Sequence, residues 1–139
     1  MFQKHLPPQP GVRFLEVGCY PGRYLWYFHK YFGYRVDGIE YLKGCASRCG
    51  DFMKERNVPA NIFHADLFTF TVDDPKERWD VVAGFGFVEH FSDTREVVER
   101  HLDLLRPGGY LALEIPNHAG LNGTVMKMVD FETYTRSTT

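Results

Sequence analysis

A chain of 139 residues can bury one hydrophobic core, and its 44% apolar, 16% aromatic and 24% charged residues exclude the disordered and fibrous classes. The formal net charge is −2 and the basic residues are scattered, so no basic patch for nucleic acid or an anionic membrane is present. The first eleven residues, MFQKHLPPQPG, have prolines where a signal peptide would need an apolar stretch. No segment approaches the roughly 20 apolar residues of a membrane span. We therefore expect one cytoplasmic globular domain over residues 1–139.

The first forty residues have the pattern of a strand, a helix and a second strand. The mostly apolar run from Val12 to Val17 ends at Gly18 and predicts a buried strand. Large apolar side chains then recur at helical spacing up to a stop at Gly33: Tyr24, Leu25, Phe28, Tyr31 and Phe32. The segment from Tyr34 to Ile39 predicts the second strand, and together the elements form a βαβ unit.

The same alternation continues to about residue 116. We predict a helix over 43–56, a strand over 60–65, a polar loop over 71–78 and a strand over 79–87. A helix over 93–105 stops at LRPGG, a strand follows over 110–116, and a short helix lies near 125–130. Strands that alternate with helices pair in parallel and are covered on both faces. The predicted fold is an α/β, doubly wound, Rossmann-like and mainly parallel sheet of five strands.

The cysteines are Cys19, Cys45 and Cys49, and an odd number cannot all pair within the chain. Cys45 and Cys49 are four residues apart on a predicted helix, a spacing that would place two metal ligands on one face. A structural zinc site needs four ligands, and no second C-x-x-C or H-x-x-x-H pair supplies the others. We therefore expect reduced, packed thiols and no metal, with a metal-binding pair as the alternative.

The turn after the first strand, GCYPG, lies where a parallel sheet of this type binds its ligand, outside the carboxyl ends of the strands. A dinucleotide fingerprint beginning at Gly18 would need glycine at Tyr20 and glycine or alanine at Arg23. A P-loop would need glycine at Arg23 and lysine at Tyr24. Both spacings fail, which disfavours a diphosphate ligand and an NAD-type oxidoreductase.

Acidic residues accompany three successive predicted strands. Glu16 lies inside the first, Glu40 ends the second and Asp66 follows the third. Each has an ordinary alternative, because acids often end strands or begin turns. An unpaired buried carboxylate such as Glu16 would nevertheless cost several kcal/mol and needs a reason. The joint occurrence of the three acids favours a ligand site at this edge of the sheet.

These segments together resemble the class I S-adenosylmethionine-dependent methyltransferases, of the small-molecule type found in ubiquinone and menaquinone biosynthesis. The resemblance covers nearly the whole chain and rests on FLEVGCYPGRYLWYF, the acidic end of VDGIE, ADLF, FGFVEHF and LRPGGYLALEIPN. It implies S-adenosylmethionine as the cofactor. It also implies a seven-stranded sheet whose final antiparallel hairpin this sequence lacks, so we expect either that five strands suffice here or that the chain is truncated at its C terminus.

The resemblance further implies which residues hold the cofactor. Glu40 would accept two hydrogen bonds from the ribose diol, and Asp66 one from the adenine amino group. Glu16 would place negative charge near the cationic methionine part. The other predicted contacts are Gly18, Cys19, Tyr20 and Gly22 in the turn, Tyr41 after Glu40, Leu67 beside the adenine ring, and Phe85 and Phe87 on the fourth-strand side.

Tyr20 is the main departure from the family pattern, which usually has glycine there. If the backbone needs a positive φ at this position, tyrosine costs on the order of 1–2 kcal/mol. Its ring would either attract the sulfonium, by about 0.5–2 kcal/mol, or obstruct the methionine pocket. We predict an altered but functional site, with a non-catalytic cofactor-binding or interaction module as the alternative.

Methyl transfer needs an aligned acceptor, and a base only if the acceptor must lose a proton. His90, in FVEHF, is the predicted base, with packing against the next helix as its ordinary alternative. The chain lacks the Asn/Asp-Pro-Pro-aromatic motif of methyltransferases that act on amino groups of adenine or glutamine. The resemblance therefore implies an oxygen or carbon of a small-molecule or lipid-like acceptor, and no nucleic acid partner.

Overall fold

A computed structural model describes residues 2–6 and 8–116, in which five strands form one parallel sheet. The elements are β1 (Arg13–Val17), α1 (Arg23–Phe32), β2 (Arg35–Glu40), α2 (Lys43–Glu55), β3 (Ala60–His64), β4 (Trp79–Phe85), α3 (Thr94–Asp103) and β5 (Leu105–Glu114). Short 3-10 helices cover Phe2–Lys4, Pro75–Glu77 and Val88–His90. The helix predicted near 125–130 lies outside the described residues. None of the described helices is long and apolar enough to cross a bilayer.

The strand order β3-β2-β1-β4-β5 confirms the predicted Rossmann-like α/β fold. Every pairing is parallel, so the carboxyl ends of the strands meet at one edge of the sheet. The chain moves outwards from β1 to β3 and then returns to the other side of β1 with β4. A crevice for a ligand opens at such a switch point, and here the GCYPG turn borders it.

Alternate side chains of β1 enter two hydrophobic layers, one on each face of the sheet. Phe14 packs on Phe28 of α1 with a ring separation of 4.4 Å, in a cluster that also contains Met53 of α2. Leu15 belongs to the opposite cluster, together with Val97 of α3. The three central strands β1, β2 and β4 are therefore buried on both faces, which explains their largely apolar sequences.

The beginning of β5 differs from the prediction. LRPGG lies inside this strand, which starts at Leu105 instead of residue 110. Leu105 pairs with Trp79, and a bulge absorbs the extra residues before Tyr110 pairs with Val81. Proline and glycine are tolerated at such bulges. The segment therefore shapes a strand irregularity, where the sequence suggested only a helix stop.

His101 of α3 is fully buried against β4. Its Nδ1 donates to the Val97 carbonyl oxygen at 2.7 Å, while its Nε2 faces Gly84 and has no hydrogen bond to a described residue. Burial lowers the pKa of His101. In the unfolded chain His101 therefore becomes protonated near pH 6.5, whereas in the folded chain it stays neutral to lower pH. The free energy of unfolding consequently decreases as the pH falls.

We expect the free energy of unfolding to decrease below about pH 6.5, with His101 contributing at most about 1.4 kcal/mol per pH unit. His101→Leu should lose this contribution, whereas His64→Gln, which changes an exposed histidine, should retain it. Urea unfolding about one pH unit above and below 6.5 measures the difference. Burial raises the pKa of Glu16, so Glu16 acts in the opposite direction in all three proteins. An unchanged pH dependence in His101→Leu would contradict the prediction.

Candidate functional site

The GCYPG turn is anchored to β2 by its backbone. The N–H groups of Gly18 and Cys19 donate to the Ile39 carbonyl oxygen at 2.9 and 3.2 Å. Gly18 has a φ of +72°, a conformation that glycine adopts without strain. Tyr20 has no positive φ, since Asn57 is the only described non-glycine residue that has one. The backbone strain considered for Tyr20 therefore does not arise.

A first cavity, of about 230 Å³, opens beside this turn. Six residues predicted to hold the cofactor line it: Gly18, Glu40, Tyr41, Asp66, Leu67 and Phe87. The rest of its lining is apolar and consists of Val17, Ile39, Ala65, Phe68 and Phe91. The structure therefore brings two acids together with an apolar wall, an arrangement suited to a ligand with a flat ring and hydroxyl groups.

Glu40 ends β2, and its side chain is 9% exposed. Its Oε1 accepts from the Leu42 N–H at 3.0 Å and its Oε2 from the Tyr20 N–H at 3.4 Å. These bonds fix the carboxylate between the turn and the start of α2. Each oxygen has a second lone pair, so the carboxylate can accept two further hydrogen bonds from a diol.

Asp66 begins a turn and also faces a cavity. Its Oδ1 accepts from the Phe68 N–H at 3.0 Å, so Asp66 begins a turn after β3. It also lines the first cavity, and its Oδ2 makes no hydrogen bond to the described part of the chain. Leu67, which is 4% exposed, forms the adjoining apolar surface. The turn therefore orients Asp66 and leaves one oxygen for a ligand.

A second cavity, of about 810 Å³, lies on the other side of the turn. Gly18 lines both cavities, so the two adjoin there. Four predicted residues line the second cavity and not the first: Glu16, Cys19, Tyr20 and Phe85. Pro21, Arg23, Tyr24, Trp26, Tyr27, Phe52 and Arg56 complete it. Half of its lining residues are aromatic.

Phe85 and Phe87 face different cavities, although they were predicted to lie on the same side of one site. The Phe85 ring lies 4.3 Å from that of Tyr24 and 5.5 Å from that of Phe2, measured between centroids. Tyr20 and Tyr24 are 44% and 36% exposed, so their rings are only partly covered by the chain. The second cavity thus offers aromatic surface that a ligand can cover.

Glu16 is a buried acid of β1 with an exposed fraction of only 3%. Its Oε2 has no hydrogen bond to a described residue, and the residue lines the second cavity. Burial, followed by the nearby Cys49, raises the pKa of this carboxyl group, and the Leu25 N–H partly offsets the effect. A cationic ligand group beside Glu16 would satisfy the unpartnered oxygen and favour its ionised form.

Cys19 and Cys49 form a buried pair of thiols that the sequence did not predict. Their Sγ atoms lie 3.6 Å apart, and Cys49 Sγ also lies 3.7 Å from the Cys19 carbonyl oxygen. Cys45, the predicted neighbour of Cys49, is only partly buried. Within the described ranges, no group of three or more His, Cys, Asp or Glu side chains could hold a metal ion. Cys19 therefore packs the turn against α2, and Gly22 lies directly over Cys49.

His90, the predicted base, lies at the end of the 3-10 helix Val88–His90 and is exposed. Its backbone N–H donates to the Phe87 carbonyl oxygen at 3.2 Å. His90 lines neither cavity, and the adjacent Glu89 has a buried Oε2 without a hydrogen bond to the described residues. The position of His90 alone therefore assigns it no chemical role.

Phe68, Phe91 and Arg23 are among the lining residues that sequence reasoning did not assign to the site. Phe68 and Phe91, whose rings lie 5.5 Å apart, close the first cavity. Both follow strand ends in the sequence, which is the signal that could have found them. Arg23 was considered only as the residue that breaks the diphosphate patterns, yet it lines the second cavity.

Similar proteins are found by sequence and by fold. A family model described as a methyltransferase domain matches residues 2–134. Ubiquinone biosynthesis O-methyltransferase of Bradyrhizobium sp. (strain ORS 278) is 27% identical over 116 residues, which are 77% of this chain and 41% of that protein. A SAM-dependent methyltransferase from Thiobacillus denitrificans was solved in complex with S-adenosyl-L-homocysteine, and its structure matches this one with a TM-score of 0.65 at 20% sequence identity. The match covers 78% of this chain and 46% of the Thiobacillus chain. The [4+2]-cyclase SpnF matches with a TM-score of 0.67 at 21% sequence identity, over 76% of this chain and 39% of the SpnF chain. The chain spans less than half the length of these proteins.

Proposed function

The chain belongs to the class I S-adenosylmethionine-dependent methyltransferases, and on this basis we propose that it methylates an oxygen or a carbon of a small-molecule or lipid-like acceptor. The observation that carries the proposal is the junction of the two cavities at Gly18, with Glu40 and Asp66 on one side and Glu16 on the other. S-adenosylmethionine has the matching groups, with adenine and a ribose diol at one end and a cationic methionine part at the other.

The first cavity suits the adenosine part. The Glu40 carboxylate would accept from the ribose hydroxyls, and Asp66 from the adenine amino group. Leu67 and Phe87 offer apolar surface to the ring. The volume of about 230 Å³ is below the roughly 300–1,000 Å³ of most small-ligand sites. The methionine part would therefore extend past Gly18 into the second cavity.

When bound, S-adenosylmethionine would supply an electrophilic methyl group on a sulfonium. Glu16 would bind the ammonium group at the wall of the second cavity. The rings of Tyr20 and Tyr24 line the same cavity, and an aromatic face attracts a cation by about 0.5–2 kcal/mol. The rest of the chain's task is alignment, which in well-oriented reactions contributes up to roughly 7–11 kcal/mol.

The aromatic walls of the second cavity support an apolar acceptor. Tyr27 and Phe85 lie in the same lining as Gly18, where the donor would pass between the cavities. The Bradyrhizobium relative is named an O-methyltransferase, which supports an oxygen acceptor. The role of His90 as the base stays a prediction, and from outside both cavities it would have to act through water.

One observation favours a second candidate, a module that binds the cofactor without catalysis. Tyr20 occupies the position where the family usually has glycine, and its ring lines the second cavity. If that ring fills the space of the methionine part, the donor cannot be aligned. An NAD-type oxidoreductase is no longer a candidate, because the chain belongs to the methyltransferase family.

Isothermal titration calorimetry with S-adenosylmethionine and S-adenosyl-L-homocysteine tests the proposal. We expect both to bind, and we expect methyl transfer to a member of a panel of hydroxyl and carbon acceptors. Binding without transfer to any acceptor would support the second candidate. Absence of heat with protein shown to be folded would overturn both candidates.

A further inference from the structure

Cys19 and Cys49 bring two thiols to a buried position where the GCYPG turn meets α2. Their Sγ atoms lie 3.6 Å apart, and the two residues are 1% and 0% exposed. Glycines leave room for both sulfurs. A Cβ at Gly38 would lie 2.5 Å from Sγ of Cys19, and a Cβ at Gly22 would lie 3.0 Å from Sγ of Cys49. Each sulfur therefore lies against the backbone of a glycine, and the fold holds the two thiols side by side.

The surroundings of the pair favour reaction at Cys49. A hydrogen bond from the Cys19 thiol lowers the pKa of Cys49, and burial opposes this effect. The same hydrogen bond, followed by burial, raises the pKa of Cys19. Because the thiolate is the nucleophilic form, Cys49 is the thiol that attacks an oxidant first. Cys19 lines the second cavity, so a small oxidant in that cavity lies next to the pair.

We propose that Cys19 and Cys49 form a reversible disulfide that weakens the binding of S-adenosylmethionine, with hydrogen peroxide as the oxidant. The Cys49 thiolate attacks one peroxide oxygen, the O–O bond breaks, and the hydroxide that leaves takes up the proton released by Cys49. The product at Cys49 is a sulfenic acid. The Cys19 sulfur then attacks the Cys49 sulfur, and the sulfenic hydroxyl leaves as water with the Cys19 proton. The two sulfurs are oxidised, and the peroxide is reduced to two molecules of water.

The disulfide acts on binding through the turn. Cys19 lies between Gly18, which lines both cavities, and Tyr20, which lines the second. The Tyr20 N–H also donates to Oε2 of Glu40 at 3.4 Å. A disulfide bond is about 2.0 Å long, so the two sulfurs must approach each other by roughly 1.5 Å. Cys49 belongs to a helix of 13 residues, so we expect the short turn to move towards the helix and away from the junction of the cavities. This effect on binding rests on the proposed function, whereas the disulfide itself does not.

The test treats the protein with hydrogen peroxide, blocks the remaining free thiols and locates the disulfide by mass spectrometry. Trypsin separates the cysteines, because Cys19 lies in the peptide 14–23, Cys45 in 44–48 and Cys49 in 49–54. The peptides 14–23 and 49–54 should be linked, and Cys45 should carry the blocking group.

Calorimetric titration then measures the affinity for S-adenosylmethionine. The oxidised protein should bind at least about fivefold more weakly than the reduced protein, the effect of about one lost hydrogen bond. Dithiothreitol should restore both the thiols and the affinity. This reversal distinguishes the disulfide from oxidation of methionine, which dithiothreitol leaves in place.

Cys49→Ala and Cys45→Ala are the matched variants, because each removes one thiol of α2. Cys49→Ala should give no linked peptide and should lose the reversible effect of peroxide on affinity. Cys45→Ala should respond to peroxide as the wild type does. Cys49→Ser replaces Cys49→Ala if the alanine variant does not fold.

Two results would overturn the inference while the proposed function stands. In one, the folded wild type gives no linked peptide after peroxide treatment. In the other, the disulfide forms, but the oxidised protein binds S-adenosylmethionine as tightly as the reduced protein. If the reduced wild type binds neither S-adenosylmethionine nor S-adenosyl-L-homocysteine, the proposed function fails, and the effect of the disulfide on binding fails with it. The linked peptide still decides in that case whether the two thiols react.

Discussion

Glu40→Gln is expected to weaken the binding of S-adenosylmethionine by about ten- to a hundred-fold, because a hydrogen bond to a charged acceptor contributes about 1.5–3 kcal/mol. Both oxygens of Glu40 also accept backbone N–H groups, those of Leu42 and Tyr20. Glutamine has one oxygen and one NH₂ group, so one of these N–H groups would face a donor. We therefore also expect a loss of about 1 kcal/mol in the free energy of unfolding. Calorimetry and urea unfolding measure the two effects.

The ligand itself supplies the control for Glu40. A 2′-deoxy form of S-adenosyl-L-homocysteine should bind the wild type more weakly than the parent compound and should lose less in Glu40→Gln. Glu99→Gln, which breaks a surface ion pair with Arg95 at 2.9 Å on α3, should leave the affinity unchanged. Wild-type affinity in folded Glu40→Gln would remove Glu40 from the site.

The sheet could be predicted because its strands and helices differ in length and in the spacing of their apolar residues along the sequence. The run ending at Val17 was too short and too apolar for a surface helix, and the spacing of Leu25, Phe28 and Phe32 fits one buried helix face. Once the strands are parallel, their carboxyl ends meet, so Glu40 and Asp66 must lie near each other. The first cavity was thus within reach of sequence reasoning.

The division of the site into two cavities could not be predicted, because it depends on distances between distant segments. Phe85 and Phe87 are only two residues apart in the sequence. The ring of Phe85 packs against those of Tyr24 and Phe2, and the local sequence does not show this packing. The contact between Cys19 and Cys49 likewise joins residues thirty positions apart through the packing of α2 under the turn. The four-residue spacing suggested Cys45 as the neighbour of Cys49, but in the folded chain the thiol beside Cys49 is that of Cys19.

The conformation of Tyr20 was also beyond sequence reasoning. Glycine at this position in the family suggested a positive φ, and the cost of placing tyrosine there was the ground for doubting the site. The structure takes up the left-handed conformation at Gly18 and Gly22 instead. The chain therefore accommodates Tyr20 by letting the glycines on either side turn the backbone.

Gly18→Ala is expected to damage both the fold and the cofactor site. A Cβ at this position would lie 2.6 Å from Cδ2 of Phe87, and the φ of +72° costs an alanine on the order of 1–2 kcal/mol. The Phe87 ring cannot move freely, since it lies 5.0 Å from the ring of Phe91 and 5.7 Å from that of His101. We expect the free energy of unfolding to fall by about 2–4 kcal/mol and the affinity for S-adenosylmethionine by at least about tenfold.

Gly11→Ala separates the backbone cost from the contact with Phe87. Gly11 has a φ of +87° and no atom within 4 Å of an added Cβ, and it precedes β1 at the other edge of the sheet. It should lose only the backbone cost of about 1–2 kcal/mol and bind the cofactor normally. In a Phe87→Ala background, Gly18→Ala should cost no more stability than Gly11→Ala, because the contact is gone. If Gly18→Ala and Gly11→Ala lose the same free energy of unfolding in the wild-type background, Phe87 does not pack against the turn, and this side of the first cavity differs from the one described.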